Sequence, residues 1–409
     1  MNDKNNIEEL LDLQNIKVIN ILKNVKSKVE ENSLLIEIES NLKFDVIHGN
    51  FKKAKDKDVA TVRDLPISGK TVFLIINKRR FFSGNTTETE KFNFVNGSHQ
   101  FTIRYEMYIY DKIKSGESHE MISRKENISV TKIREIEKYY GNMEINRFIG
   151  LKRGMNFPEY ISIDEISAKK GHRDFYTIIY DLKEGVVIAM LKGHSKESIE
   201  PFFRDELSEI ERKRVKAVTI DMYLSYKNIV KQYFTNAEIV VDRFHVVKEL
   251  KKQFDSLRKN VNSDLAESEK KYLKGNRFVL LKNFDNTTND DKFKLVGILT
   301  DEKLKDIATG YELKEKFHSI FEIKKHNYET AKILLENWIE DVILSGIKPL
   351  IHFAKTLKSW FCEILNYFHE RLSNGVAEGI NNKIKEIKRK AYGFTNIDSF
   401  RRRIMISFL

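Results

Sequence analysis

The sequence predicts an α/β fold in which a mixed β-sheet, with the element order β-β-β-α-β-α-β-α, is interrupted by a large all-helical insertion. Three apolar runs between residues 160 and 191 are separated by short turns, which is typical of antiparallel strands. Helical and strand patterns then alternate up to residue 242, which favours parallel pairing. A small α+β module and a helix-turn-helix are predicted to precede this sheet.

The composition predicts a folded protein with a polyanionic partner. The chain has 409 residues, of which 41% are hydrophobic and 11% aromatic, enough for two or three domains with cores. Its formal charge of +12 favours binding to phosphates, because clustered Lys and Arg attract them. Nucleic acid is the first candidate, and an anionic membrane surface is the second.

A single cysteine, Cys362, excludes an internal disulfide and a multi-cysteine zinc site, and it is typical of a reducing compartment. The acidic, amphipathic residues 1–14 do not resemble a secretory signal. No apolar run approaches the roughly 18 residues that a membrane span needs. We therefore expect a cytoplasmic protein.

Changes in periodicity divide the chain into five predicted parts. They are an N-terminal α+β module (1–100), a helix-turn-helix (101–150), the first part of a core built on the mixed sheet (151–245), a helical insertion (246–372) and a C-terminal helical region that completes the core (373–409).

The first 100 residues predict a short helical start from Ile7 to Leu22, followed by strands at 33–38, 71–76 and 91–95. The sequence NKRRFF (77–82) alternates charge with aromatic residues, which suits either a nucleic-acid-binding face or a solvated sheet edge. The candidate DNA-binding residues in it are Lys78, Arg79 and Arg80.

Short helices are predicted between residues 102 and 140. Ser118 and Ser129 are candidate N-caps of the second and third helices. In the third helix Thr131, Lys132 and Arg134 are expected to face outward, where a recognition helix would contact a DNA groove. An ordinary helical linker is the alternative.

Two aspartates are predicted to close strands of the mixed sheet. Asp164 follows the apolar run ISI, and Asp221 follows VTI. Side chains from distant parts of a chain meet at the carboxyl ends of such strands. Either aspartate alone could be an ordinary turn residue.

The segment SNGVAEGINNKIKEIKRKAYGF (373–394) predicts a helix with one acid near its start. Val376, Ile380, Ile384, Ile387 and Ala391 form an apolar stripe, and Glu378 lies on the opposite, basic side. The candidate DNA-binding residues on this helix are Lys383, Lys385, Lys388, Arg389 and Lys390. A solvated face, with Glu378 stabilising the helix dipole, is the alternative.

These three acids together suit metal-dependent phosphoryl chemistry. Carboxylates are hard oxygen ligands for Mg²⁺ or Mn²⁺, and these ions keep positions open for water and phosphate. Two such ions can activate an attacking oxygen and stabilise a leaving one. Basic residues beside them would bind the DNA backbone.

Several segments resemble a known family. The sequences YISIDEISAKKGH, VKAVTIDMY, VVDRFHVVK and the C-terminal segment quoted above closely resemble the ISL3 family of bacterial insertion-sequence transposases. The upstream RDLPISGKTVFLIINKRRFF is similar to the N-terminal domain of that family. The resemblance covers nearly the whole chain.

The resemblance implies an RNase H-like core with a DDE triad. By position, Asp164, Asp221 and Glu378 would be the triad and would hold two Mg²⁺ or Mn²⁺ ions. Asp242 and His245 match a D-x-x-H signature, where His245 would support the site, contact DNA or be merely structural. The family also implies binding to terminal inverted repeats, target DNA as a second partner, a homodimer or higher oligomer, and a bacterial nucleoid location.

One feature departs from the family. Its members usually carry a cysteine-rich zinc motif near the N-terminus, and the corresponding segments here contain no cysteine. We therefore expect no zinc, so the N-terminal module must be stabilised by packing.

The sequence thus predicts a DDE transposase that cleaves DNA and joins a 3′-OH to a target. A transposase-derived DNA-binding regulator without catalysis is the main alternative. A host nuclease or resolvase built on the same core is a third.

Overall fold

The computed structural model describes most of the chain. The described residues are 2–25, 33–42, 52–83, 86–96, 100–167, 175–263, 265–323, 327–370, 375–390 and 397–409. They form two compact units, Met1–Glu144 and Ile145–Leu409. Together they have a mixed α/β architecture, as the sequence predicts.

The first unit contains helix α1 (Asn2–Leu11) and a mixed five-stranded sheet. Its strands are β1 (Ile16–Val25), β2 (Ser33–Ser40), β3 (Lys52–Ile67), β4 (Lys70–Ser83) and β5 (Thr86–Thr89). The order is β1-β2-β4-β3, with β5 paired to β4, and only the β2 to β4 pairing is parallel. The core of this sheet includes Val72, Leu74 and Ile76, which alternate along β4 and are fully buried.

Two predictions for this unit are wrong. The helix predicted from Ile7 to Leu22 ends at Leu11, because Asp12 and Asn15 adopt positive φ angles and the chain then enters β1. The predicted strand at 91–95 is absent, since only Val95 forms an isolated bridge, to Thr102. The 16 residues of β3 were not predicted, since charged residues obscure its alternation.

Three helices follow: α2 (Ile103–Lys114), α3 (His119–Glu126) and α4 (Val130–Leu151). Their number is as predicted, but α4 has 22 residues and continues beyond the predicted limit of residue 140. Ser118 and Ser129 cap the second and third of these helices, each accepting a backbone N–H bond with its hydroxyl. On α4, Thr131 and Arg134 are exposed and Ile133 is buried, as expected.

The second unit contains a five-stranded mixed sheet. Its strands are β6 (Tyr160–Ser167), β7 (Phe175–Asp181), β8 (Val186–Lys192), β9 (Ala217–Ile220) and β10 (Glu238–Val241). The order is β10-β9-β6-β7-β8. Strands β6, β7 and β8 pair antiparallel, whereas β9 and β10 are parallel to β6. The predicted alternation of strand types is therefore observed.

Helices connect the later strands and form the helical region. They are α5 (Lys196–Pro201), α6 (Glu209–Arg214), α7 (Leu224–Tyr233), α8 (Arg243–Ser263), α9 (Glu267–Gly275), α10 (Arg277–Leu281), α11 (Asn289–Leu299), α12 (Lys305–Phe321), α13 (Tyr328–Ser345), α14 (Lys348–Ser359), α15 (Phe361–Leu365), α16 (Tyr367–Glu370), α17 (Gly375–Lys390) and α18 (Ile397–Ser407).

The two faces of the second sheet contact different elements. Ile161, Ile163 and Ile220 belong to a large cluster that continues into the helical insertion. Ile178 and Tyr180 of β7 pack instead with residues of α17 and α18. The last residue of the predicted apolar stripe, Ala391, and the residues 373–374 before α17 lie outside the described residues.

Candidate active site

Three aspartates occupy one row at the carboxyl ends of the parallel strands. Ile163 of β6 and Val241 of β10 are both in register with Ile220 of β9. Asp164 follows Ile163, Asp221 follows Ile220, and Asp242 follows Val241. Neighbouring parallel strands in register present equivalent positions on the same face, so the strand order assembles this row from three distant segments.

Asp164 lies within β6 and does not close it, contrary to the sequence-based expectation. The strand continues to Ser167 because its antiparallel pairing with β7 extends beyond the parallel pairing with β9, which ends at Ile163. Asp164 is partly buried. Its Oδ1 accepts a bond from the Glu165 backbone N–H at 2.7 Å, and its Oδ2 accepts one from Asn381 Nδ2 at 2.6 Å.

Asp242 and His245 lie at the start of α8, beside Asp221. Asp242 Oδ1 accepts the Phe244 backbone N–H at 2.6 Å, so this side chain also caps the helix. The His245 Nδ1 atom is buried and has no hydrogen-bond partner among the described residues. The D-x-x-H signature therefore brings an imidazole to the acidic row.

Glu378 lies in the first turn of α17 and is exposed. It precedes Asn381 by three residues, so both lie on neighbouring positions of one helix face. Its charge also reaches the row, because it contributes to raising the pKa of Asp242. The structure thus brings the third predicted acid into electrostatic range of Asp242 in the acidic row.

Burial and like charges shape the electrostatics of the site. Burial raises the pKa of the Asp221 carboxyl, His245 opposes this shift, and Asp164, Glu165 and Asp242 add to it. Burial likewise raises the pKa of Asp242. Carboxylates that raise one another's pKa lie in a negative field, which a bound cation would relieve.

Glu165 and His194 are further groups that the sequence did not identify as site residues. His194 Nδ1 lies 3.5 Å from Glu165 Oε2, and its ring packs edge-on against Phe175 and Tyr223. Burial raises the pKa of Glu165. Glu165 could have been noticed because it adjoins Asp164, whereas no sequence pattern connects His194 to the site.

The donor atoms of the site suit a hard divalent cation. Carboxylate oxygens predominate, and Asp221 Oδ1 is buried without a hydrogen-bond partner in the described part of the chain. Such an orphaned oxygen is costly unless a ligand or water satisfies it. Across the described ranges, however, no three His, Cys, Asp or Glu side chains already form a group that could hold a metal ion.

The basic residues of α17 differ in their engagement. Lys385 and Arg389 are exposed, and Lys390 pairs with Glu386 at 2.8 Å. Lys383 donates to the Ser407 carbonyl, and Lys388 donates to the Ser167 carbonyl at 2.7 Å. The last two contacts tie α17 to α18 and β6, and burial lowers the pKa of both lysines.

The basic residues predicted in the first unit are also unequally engaged. Arg79 makes a paired contact with Glu90 and donates to the Leu42 carbonyl at 2.9 Å, which is a structural role. Lys132 pairs with Glu135 at 2.8 Å, while Arg134 is exposed.

Comparison with known proteins identifies the family. The model of the DDE transposase family ISL3, described as "Transposase", matches residues 161–404, which include the acidic row and α17.

None of the helices in the described ranges is long and apolar enough to span a membrane.

Curated relatives agree with this match. The chain is 31% identical over 253 residues to the transposase for insertion sequence element IS1001 of Bordetella parapertussis, covering 61% of each chain. It is 29% identical over 274 residues to the transposase for IS1557 of Mycobacterium tuberculosis strain H37Rv, covering 61% of this chain and 58% of that one. A Lactococcus lactis protein named as an ATP-dependent protease is 27% identical over 188 residues, covering 45% of this chain and 54% of that one.

The chain spans about three-fifths of the length of the curated transposases it matches. The family match covers more than half of the chain, and it includes the strand-end acids and the helix that follows the insertion. The chain therefore belongs to the ISL3 family of insertion-sequence transposases.

Proposed function

We propose that the protein is a DDE transposase that binds terminal inverted repeats, cleaves DNA at the element ends and joins the exposed 3′-OH to target DNA. The observation that carries this proposal is the meeting of Asp164 and Asp221, adjacent in one row, with the helix that bears Glu378. Basic residues on the same helix provide phosphate contacts beside these acids.

The topology of the second sheet supports this proposal. Three antiparallel strands followed by two parallel ones, in the order β10-β9-β6-β7-β8, are what an RNase H-like core requires. Helices α2, α3 and α4 have the lengths and caps expected of a helix-turn-helix. We assign them to DNA recognition, with Thr131, Lys132 and Arg134 toward the groove.

Asp164, Asp221 and Glu378 would hold two Mg²⁺ or Mn²⁺ ions. When bound, such ions activate the attacking oxygen and stabilise the leaving oxygen of a phosphodiester. Glu378 would supply the third carboxylate from α17, whose Asn381 already contacts Asp164. Asp242 and His245 are assigned supporting roles, in which the imidazole offsets part of the negative field.

DNA contacts are assigned first to exposed cations. Lys385 and Arg389 are exposed on α17, the helix that bears Glu378, and suit phosphate binding. Arg134 and Lys132 serve the same purpose on α4. Assembly of two or more copies on paired ends follows from the need to join two ends to one target.

The rival candidate is a DNA-binding regulator without catalysis. Its acids would be structural, and it would shift end DNA without cutting it. The orphaned Asp221 oxygen and the raised pKa values of Asp221 and Asp242 favour the enzyme, because a purely structural site has no need of clustered, unsatisfied acids.

The first prediction concerns Glu378. The Glu378→Gln variant should bind labelled end DNA like the wild-type protein but lose strand cleavage in Mg²⁺. The loss should exceed the roughly 10–100-fold that removal of a supporting group costs, because a ligand itself is removed. Cleavage and gel-shift assays on DNA carrying the element ends measure both quantities.

Glu386→Gln is the matched control, since Glu386 is an exposed acid on the same helix that pairs with Lys390. It should retain cleavage. Full cleavage by Glu378→Gln would reject the triad, and DNA binding without cleavage by the wild-type protein would favour the regulator.

A further inference from the structure

One amide side chain connects three elements of the candidate site. Asn381 on α17 donates from Nδ2 to Asp164 Oδ2 on β6 at 2.6 Å. Its Oδ1 accepts from the Tyr180 hydroxyl on β7 at 2.8 Å. In sequence, Asn381 is 201 positions from Tyr180 and 217 positions from Asp164.

The direction of both bonds follows from the chemistry of the groups. An ionised carboxylate can only accept, so the NH₂ group of Asn381 must face Asp164 and its carbonyl oxygen must face Tyr180. Tyr180 is fully buried, and burial raises the pKa of its phenol well above the usual value, so the hydroxyl remains a donor. A flip of the Asn381 amide would therefore break both hydrogen bonds, because it would place Oδ1 against the Asp164 carboxylate and the NH₂ group against the Tyr180 hydroxyl.

The same amide locates α17 on the sheet. Ile380 and Ile384, which flank Asn381, are buried in the cluster that contains Tyr180. Withdrawal of Asn381 would leave the buried Tyr180 hydroxyl without its acceptor, which costs about 1–3 kcal/mol. Lys388 makes a second polar contact nearer the end of the helix, to the Ser167 carbonyl.

Glu378 lies three residues before Asn381, so the position of the amide determines where this acid can reach. Asp164 also has one oxygen held by Asn381 and the other by the Glu165 backbone, which restricts rotation of the carboxylate. Groups that orient a metal ligand in this way commonly change metal affinity when they are removed.

We propose that Asn381 is a positioning residue of the candidate site, connecting Tyr180 to Asp164 so that the carboxylate is held in one orientation and α17 presents Glu378 to the acidic row. The proposal rests on the proposed function for its metal-binding consequence. The role of Asn381 in holding α17 on the sheet can be tested independently of the proposed function.

The test uses the full chain and Mn²⁺ alone, with free Mn²⁺ followed by electron paramagnetic resonance. Asn381→Ala should weaken Mn²⁺ binding by about 10-fold or more. Asn382→Ala is the matched control, because Asn382 is the adjacent, exposed asparagine on the same helix, and it should leave binding unchanged. Asp164→Asn serves as the reference for loss of a ligand.

Tyr180→Phe separates positioning from general destabilisation. It removes only the hydroxyl, so it should weaken Mn²⁺ binding less than Asn381→Ala does. In the Asn381→Ala background it should have no additional effect, because the connection is already broken. If the two substitutions instead weakened Mn²⁺ binding through independent losses of packing, their effects would add in the double variant.

Hydrogen exchange of α17 amides without metal provides the second measurement. Exchange should be faster in Asn381→Ala than in Asn382→Ala. If both asparagine variants bind Mn²⁺ equally and exchange equally, the proposal is overturned. If Asp164→Asn leaves Mn²⁺ binding unchanged, the proposed triad is wrong. In that case, faster exchange of α17 amides in Asn381→Ala than in Asn382→Ala would still support the role of Asn381 in holding α17 on the sheet. Equal exchange in the two asparagine variants would contradict that role as well.

Discussion

His318 is a buried imidazole surrounded by positive charge. Its side chain lies on α12 in the helical insertion and is 6% exposed. Burial lowers its pKa from the ordinary 6.5 to about 4, and Lys251, Lys314 and Arg243 add to this shift while Glu315 opposes it. The folded protein therefore keeps this histidine neutral where an unfolded chain would protonate it.

This predicts acid sensitivity of the insertion. Between pH 6.5 and 4 the unfolded chain binds a proton at His318 that the folded chain does not, so the free energy of unfolding falls as the pH falls through this window. The full effect is about 3 kcal/mol. Denaturant unfolding of wild-type protein and His318→Gln at pH 7 and pH 4 measures it.

The difference in stability between the two proteins should shift by that amount in favour of the variant at pH 4. An equally steep loss of stability in His318→Gln would contradict the assignment.

At the scale of elements, Gly310 allows two helices of the insertion to approach closely. A Cβ atom at Gly310 of α12 would lie 2.5 Å from Leu257 Cδ2 and 3.2 Å from a Phe254 ring carbon on α8. Both neighbours are buried. The absence of a Cβ atom at Gly310 permits this close contact, although glycine is a poor helix former.

Gly310→Ala should therefore destabilise the insertion by about 1–3 kcal/mol through overpacking. Gly297→Ala on α11 is the matched control, because a Cβ there would meet only the Tyr272 hydroxyl, at an ordinary 3.5 Å. That variant should gain up to about 1 kcal/mol in helix propensity. Chemical denaturation measures both, and equal effects of the two substitutions would contradict the close contact.

At the scale of the whole molecule, the chain has separate cores. The cluster around Val72 and Leu74 contains only residues of the first unit, whereas the clusters of the second sheet and the insertion contain only residues of the second. Separate cores unfold separately unless an interface couples them. Residues 1–144 contain 24 Lys and Arg against 22 Asp and Glu, whereas residues 145–409 contain 48 against 38. The second unit therefore carries most of the +12 charge, and we expect it to contribute most to salt-sensitive DNA binding.

Calorimetry should accordingly resolve two unfolding transitions. Leu74→Ala removes a fully buried side chain and should cost the first unit about 2–5 kcal/mol. It should lower one transition, and Gly310→Ala should lower the other. A common shift of both transitions by either variant would show that the units unfold together.

Much of the fold was predictable where local patterns and tertiary packing agree. The apolar runs ending at Ile163 and Ile220 are strands, and Ser118 and Ser129 cap helices, because each pattern is settled within a few residues. The early helix was overpredicted because the positive φ angles of Asp12 and Asn15 depend on the chain entering β1. Charged β3 was missed because its partner strands, not its own composition, stabilise it.

The sequence by itself determined the family, the placement of Asp164 and Asp221 directly after apolar strand residues, and the amphipathic helix with Glu378 near its start, because these depend on short-range periodicity and residue type. Only the tertiary structure decided that Asp242 joins the same row, that His194 adjoins Glu165, and that Asn381 connects Tyr180 to Asp164. Strand order and register set those neighbours, and no local pattern encodes which distant strands lie side by side.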